Sequence, residues 1–364
     1  MRPLLVVENN KLTLSDHDFQ ELNEGQLTVD DLWKHGVIDY IDPMEHRETL
    51  IAQTLDLLSK DGVQYCEIEG IVAYGLPAAS IPVFNCNDPI RNIGSCKMQK
   101  QAFGAPVQSE FVHHRGTYIT LRTPERPMVI SSALNVIPNC ELLYSGQTAL
   151  TAIMPVMGFN QEDGLVMSKD AIDRGLFTSL HHQCYRKVEP GYHTLVGKTV
   201  QPATFVHENE VLIYGIKEED NERCPVVGDK FATLSGQKGV INAILPNSEL
   251  PRTADGRIPD IFMNPHSFLD RLTIGLHVEG LLAKLSHHLG HAIDVTAFQS
   301  GWNLPRAREA LEAHGLHGYE ELFTEQGKYY GKIFCAPIFF QRLQHMAAPK
   351  CNARYEGDMD HRTM

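Results

Sequence analysis

Three features of the sequence predict a mixed α/β fold of the α+β kind: an opening strand–helix–strand segment, a lysine-bearing hairpin around residue 234, and long capped helices set apart from the strands. The first strand is PLLVVE (3–8). A helix opens near Thr28 and Asp30, and VIDYID (37–42) is a second strand before Pro43, so residues 1–57 read as a small α/β segment. Val63 to Phe84 reads as strand-rich. Asp88 then caps a helix running to about Phe103, with Pro89 suited to its first position. Leu150 to Met157 is a buried, mostly apolar strand or helix. Residues 181–224 are polar, carry Pro190-Gly191 and the acidic run Glu218-Glu219-Asp220, and read as a connecting excursion. A long helix is expected from about Phe268 to Leu289, its apolar face made by Leu272, Leu276, Leu281, Leu282 and Leu285. A second, from Arg306 to His314, stops at Gly315. Residues 58–350 make the main domain and 351–364 a tail.

At 364 residues the chain is long enough for a large core, divided into about two domains or held in one elaborate one. Its formal charge of −13 argues against holding nucleic acid by an overall field, so any grip on phosphate must come from local basic groups. No apolar run approaches the roughly 20 residues of a membrane span, and MRPLLVVENN lacks a basic-then-apolar signal layout. An intracellular protein with no membrane partner is expected, with cytoplasm, nucleus and virion all open. The eight cysteines include no CxxC pair, so neither a disulfide scaffold nor a zinc site is expected. His287 and His291 have the i, i+4 spacing of helical metal ligands, but no nearby carboxylate or cysteine completes a set, and a solvated helix end is the preferred reading.

The stretch GDKFATLSGQKG (228–239) places Lys230 and Lys238 four residues either side of Leu234. With a turn at Leu234-Ser235-Gly236, Gly236 taking positive φ, the two lysines become near cross-strand neighbours on one face, where like charges repel. Such an arrangement needs an anion between them. Arg91 falls in the first turn of the helix capped by Asp88, where free amides already favour negative charge. A bound phosphate or a simple pair with Asp88 would each account for it. Lys97 and Lys100 share a face one turn on, as solvated helical lysines do. Glu162 and Asp163 point to opposite sides of an extended backbone, so one of them reaches a given metal ion. Asp163 is the candidate, with Glu162 hydrogen-bonded to a basic neighbour; an ordinary surface turn is the alternative. Arg271, opening the long helix after Asn264-Pro265-His266, has the planar fork that suits phosphate, or a salt bridge near Asp270 or to Asp260.

Taken in order, RPLLVVE, VIDYIDPME, DPIRNIGSCKMQKQAFG, GFNQEDGLVMSKDAIDRGLF, GDKFATLSGQKGVI, DGRIPDIFMNPHSFLDRLTIGLHVEGLLAK and APIFFQRLQHM resemble the second-largest, β-type subunit of multisubunit DNA-dependent RNA polymerases over nearly the whole chain. Gln161 in NQED makes the resemblance closer to eukaryotic, archaeal and large-DNA-virus enzymes than to bacterial ones. The resemblance implies a hybrid-binding region from about residue 58 that contains a double-psi β-barrel, with 181–224 as a short remnant of the flap or wall. It implies that Lys230 and Lys238 contact phosphates at the RNA 3′ end and the incoming nucleotide. It places Arg91, Arg271, Lys100 and Gln237 around NTP and RNA phosphates, and Asp163, beside Glu162, near the second, nucleotide-borne Mg²⁺.

The departures are informative. The aspartate-rich loop that holds the first Mg²⁺ belongs to the family's largest, β′-type subunit and has no counterpart here, so the implied site is completed by that partner, on a DNA template with its RNA–DNA hybrid and NTPs. TLSGQKG replaces SRHGQKG. The stretch between Leu180 and Gly228 is much shorter than the family's, and the amino-terminal protrusion and lobe and the carboxy-terminal clamp segment are missing. A split or reduced subunit, with other polypeptides supplying the absent β segments, is the expectation. A non-catalytic, β-like scaffold that docks on a polymerase or nucleic acid is the alternative.

Overall fold

Apolar alternation in Arg2–Glu8 turns Leu5 and Val7 into a small core with Leu32, Val37, Ile38, Ala52 and Cys66. That strand is the hub of a five-stranded sheet, pairing antiparallel with Lys11–Leu12, Ile38–Ile41 and Val63–Cys66, while Leu50–Ala52 runs parallel to the last of these. Helices Asp16–Asn23 and Val29–Lys34 cover it, each started by a reciprocal capping box, Ser15 with Asp18 and Thr28 with Asp31. The protein is described from a computed structural model over residues 2–103, 117–132, 144–183, 194–195, 204–205, 222–298 and 301–350. Most of the expected 181–224 excursion and the whole 351–364 tail lie outside the described residues.

Six strands of the larger sheet form a closed ring. They are β1 (Gln147–Ile153), β2 (Gly164–Ser168), β3 (Lys230–Thr233), β4 (Lys238–Leu245), β5 (Ile261–Met263) and β6 (Tyr329–Arg342). Around the ring the order is β3, β4, β2, β5, β1, β6 and back to β3. The β4–β2 and β5–β1 pairs are parallel and the other four antiparallel. Closure removes the exposed edges that an open sheet presents. The buried side chains Leu165, Met167, Phe231, Ile241, Ile261, Met263, Ile338 and Phe340 pack together as one core, with Phe177 set edge-on to Phe231 at 4.9 Å. Beyond the ring β6 continues into a hairpin with Tyr319–Phe323.

Two helices flank the ring. Helix α1 (Pro89–Gln99) begins at its Asp88 cap as the sequence indicates, but ends at Gln99 with Lys100 as its C-cap. Helix α2 (Ile274–Leu289) buries Val278, Leu281, Leu282 and Leu285 against Phe334 and Ala336 of β6 and Ala307 and Leu311 of helix Leu304–Ala313.

Two expectations need correction. The helix expected from Phe268 is broken: Pro265–Leu269 is a separate short helix, and α2 starts at Ile274. The break is at Leu272, whose φ of 50° is left-handed, so Leu272 is exposed instead of lying on the apolar face. The strand-rich reading of 63–84 holds only for Val63–Cys66; single turns of helix at Gly70–Ala73 and Leu76–Ala79 follow. The lysine hairpin turns where expected, at Leu234-Ser235-Gly236, with Gly236 at positive φ. Ala232 pairs with Lys238 and Lys230 with Val240, so the lysines are diagonal neighbours on the same outer face of the strand pair, not directly opposite.

Candidate nucleotide-phosphate site

The hairpin turn is the best-anchored part of the site. Thr233 and Gln237 close a three-residue loop through Gln237 O (2.8 Å), and Gly236 adopts φ 87°. The loop is wedged between the two helices. The Ser95 hydroxyl of α1 donates to Leu234 O at 2.6 Å, and the Ser235 hydroxyl donates to Glu279 Oε2 of α2 at 3.1 Å. A Cβ on Gly236 would lie 2.5 Å from Arg91 O, which shows how closely the turn approaches α1.

The starts of β2 and β4 lie at one end of the ring, together with the end of β5, and the remaining residues gather there. Asp163 O accepts from Val240 N–H at 2.9 Å, fixing the residue before β2 against the lysine-bearing β4. The Arg271 guanidinium contacts the Asp163 carboxylate through Nη2 and donates to Gln237 Oε1 through Nη1 at 3.0 Å. Gln237, 1% exposed, donates from Nε2 to Thr273 Oγ1 (2.7 Å) and Ser267 O (3.3 Å). This network holds the broken segment 270–273 against the hairpin. The residues flanking the ion pair, Glu162 before Asp163 and Leu272 after Arg271, both have left-handed backbones, φ 51° and 50°, a conformation that concentrates at functional sites.

The amino-terminal ends of α1 and α2 converge beside it. Asn87, next to the α1 cap, pairs with Thr273, the N-cap of α2, and Asn87 Oδ1 accepts from Gly275 N–H at 2.9 Å. A side chain at position 275 would strike Asn87 at 2.6 Å. Asn87 Nδ2 is buried and has no partner among the described residues. Two helix dipoles therefore present their positive ends close to Arg91 and Arg271.

The eight expected site residues fall into three groups. Lys230 and Lys238 are exposed on one face, and Arg91 is half-buried; none of the three has an ion-pair partner among the described residues, so an Arg91–Asp88 pair is not formed. Asp163, Arg271 and Gln237 form one hydrogen-bonded unit. The carboxylate that meets a basic group is thus Asp163's and not, as expected, Glu162's, and Glu162 is exposed. Asp260, the alternative partner for Arg271, is instead bonded to Arg174 at 2.9 Å. Lys100 is exposed at the far end of α1. The sequence reading missed Ser95, Ser235 and Glu279, which hold the turn, and His345, whose carbonyl accepts from Lys230 N–H at 3.2 Å and whose Nε2 lies 3.0 Å from Gln101 Oε1. The QxxxHM-like end of APIFFQRLQHM was the only signal for the last of these.

Glu279 is fully buried, and burial pushes its carboxyl up from the ordinary 4.5 to about 7; hydrogen bonds from Phe339 N–H (3.3 Å) and Ser235 Oγ pull it back only in part. The folded protein therefore holds this proton more tightly than the unfolded chain does. The stability from this group is complete below about pH 4.5 and is lost as pH rises through about 7, a change of about 3 kcal/mol. Glu279→Gln keeps the shape and can serve both partners as the neutral acid does. Other groups titrate in the same window, His277 among them, so the readout is the difference: in urea denaturation Glu279→Gln should gain on the wild type as pH rises from about 4.5 to about 7, by about 3 kcal/mol.

The sequence family described as RNA polymerase Rpb2, domain 6, matches residues 77–202 and 206–364. Among curated proteins, the DNA-directed RNA polymerase II subunit RPB2 of Encephalitozoon cuniculi is 29% identical over 98% of this chain and 39% of its own length. The polymerase II subunit 2 of Arabidopsis thaliana is 28% identical, and the DNA-directed RNA polymerase subunit Rpo2 of Saccharolobus solfataricus 27%; each is matched over 98% of this chain and 38% of its own length. The chain belongs to the RNA polymerase Rpb2 domain 6 family. It spans less than two-fifths of the length of these relatives. Among the described residues no helix is long and apolar enough to cross a membrane.

Proposed function

We propose that this chain supplies the β-type half of the active site of a DNA-dependent RNA polymerase, and that a largest, β′-type partner carrying the aspartate-rich loop supplies the other half. The observation that carries this reading is the pair of exposed lysines, without an ion-pair partner among the described residues, on one face of a hairpin whose turn is fixed to two helices, in a chain of net charge −13. Side chains that repel one another are held together at a cost that a polyphosphate ligand offsets. The closed ring is read as the double-psi β-barrel of the family's hybrid-binding region.

In this reading Lys230 and Lys238 bind phosphates at the RNA 3′ end and of the incoming NTP. Arg91, Arg271 and the two converging helix ends hold the triphosphate. Gln237, buried with its amide fully engaged, keeps Arg271 in place and does not itself meet the nucleotide. Lys100 lies one end of α1 away and contributes to the basic surface on which RNA and template lie. Nucleotidyl transfer requires in-line placement of the 3′-hydroxyl against the α-phosphate and neutralisation of the leaving pyrophosphate. Fixed cations supply the second without reorganisation.

Asp163 fits a contribution to a nucleotide-borne Mg²⁺. Mg²⁺ is commonly held by one or two carboxylates plus substrate phosphates, and Asp163 is partly exposed at the edge of this basic cluster, with Glu162 adjacent. When bound, the ion neutralises charge on the β- and γ-phosphates. Before that Asp163 is neutralised by Arg271, so the pair must share or exchange partners as the triphosphate arrives.

The test is reconstitution with co-purifying polypeptides, identified by mass spectrometry, on a DNA template with an RNA primer. RNA extension should require both this chain and the partner with the aspartate-rich loop. Extension that persists when this chain is left out would sink the proposal in favour of a scaffold.

A further inference from the structure

The most heavily bonded side chain around the lysine hairpin is one the chemistry above does not use. Arg342, the last residue of β6, is 1% exposed, and its partner Asp229 is wholly buried. Nη2 donates to Asp229 Oδ2 at 2.6 Å and to Cys224 O at 3.3 Å. Nη1 donates to Phe177 O and Arg223 O, both at 2.8 Å, and to Ser179 Oγ at 3.2 Å. The guanidinium also sits over the Phe103 ring, 5.5 Å from its centre. Asp229 in turn accepts from Ala347 N–H at 3.0 Å and Val226 N–H at 3.3 Å.

Asp229 immediately precedes Lys230, and both backbone groups of Lys230 are bonded to the chain just beyond Arg342: its N–H to His345 O at 3.2 Å, its C=O from Leu343 N–H at 2.9 Å. One charge therefore ties together four stretches, 177–179, 223–224, 229–230 and 342–347. Burying an ion pair is costly, and an apolar pair of similar size would often stabilise a core as well. Burial also pushes the Arg342 guanidinium down from its ordinary range, against the pull of Asp229. What the pair supplies that apolar groups cannot is direction: a planar fork that fixes carbonyls from several segments around the residue before a functional lysine.

We propose that Arg342, acting through Asp229, is a positioning residue for Lys230. It sets the backbone from which the Lys230 ammonium reaches the nucleotide phosphates. This inference rests on the phosphate-binding role given to Lys230 above.

A double-mutant cycle in the reconstituted polymerase tests it, reading kcat and KM for NTP. Arg342→Lys keeps the charge but loses the fork, and is expected to lower kcat/KM by about 10–100-fold in the Lys230 background, the size of loss that follows small misplacement of a catalytic group. In a Lys230→Ala background the same substitution is expected to change kcat/KM by less than about twofold, because the group it positions is already gone. Asp229→Asn, which preserves shape, should repeat the pattern and serves if Arg342→Lys does not assemble. Failure of both to assemble while Arg342→Met/Asp229→Leu together assembles with full activity would overturn the proposal, since an apolar pair would then suffice. Full additivity of Arg342→Lys with Lys230→Ala would also overturn it, leaving the lysine's own role intact. If Lys230→Ala alone changes nothing, it is the phosphate-binding reading that fails, and this inference with it.

Discussion

Substituting both Lys230 and Lys238 by alanine should reduce RNA extension by the assembled polymerase by at least about 10²–10³-fold, the loss typical of removing one preorganised charge-stabilising group. Both ammoniums lie on one exposed face and have no ion-pair partner among the described residues, which leaves their charge free for a ligand there. Neither substitution opens a core cavity, since both residues are exposed and the adjacent Phe231, Gly239 and Ile241 fill the interior. The effect should accordingly fall on kcat and KM with little change in denaturant midpoint. Because the two charges are diagonal neighbours, each single variant also relieves repulsion, and the double variant should lose less than the product of the singles. Steady-state extension assays on the two singles and the double check both statements.

Gly236→Ala should be the most damaging small substitution in the hairpin. Its φ of 87° disfavours any side chain, and the new Cβ would sit 2.5 Å from Arg91 O, a backbone atom in the first turn of α1 that cannot rotate away. Left-handed strain and overpacking together are worth about 2–5 kcal/mol. Gly256 provides the control: its φ is 83°, but nothing lies within 4 Å of the added carbon. Gly256→Ala should cost only about 1–2 kcal/mol, and the difference between the two urea midpoints isolates the close approach of turn and helix. Gly236→Ala should also lose extension activity, because relief of the clash moves the lysines relative to Arg91.

The hairpin was legible because its signal is local: a glycine able to take positive φ, flanked by strand formers and a symmetric pair of charges. The same signal placed the turn at Leu234-Ser235-Gly236, the loop that Thr233 and Gln237 close. The Asp88-Pro89 start of α1 was equally local, a cap and a fixed φ. The break at Leu272 was hidden for the opposite reason. Leucine is a good helix former, and what ends the helical run is tertiary: Gln237 and Asp163, distant in sequence, hold Thr273 and Arg271 on either side. Asp163 rather than Glu162 meets Arg271 because the turn at 158–163 leaves extended geometry, with Glu162 left-handed, so alternation of sides did not apply. Arg342 carried no signal of its own in IFFQRL, because its burial is set by the closed ring and by segments distant in sequence.

The most direct measurement is the structure of the assembled polymerase with a DNA template, an RNA primer and a non-hydrolysable NTP. Phosphate oxygens are expected within about 3 Å of the Lys230 and Lys238 ammoniums and of the Arg91 and Arg271 guanidiniums, with Asp163 beside the metal on the triphosphate. A triphosphate seated away from the Lys230–Lys238 face, with Arg271 still closed on Asp163, would contradict this.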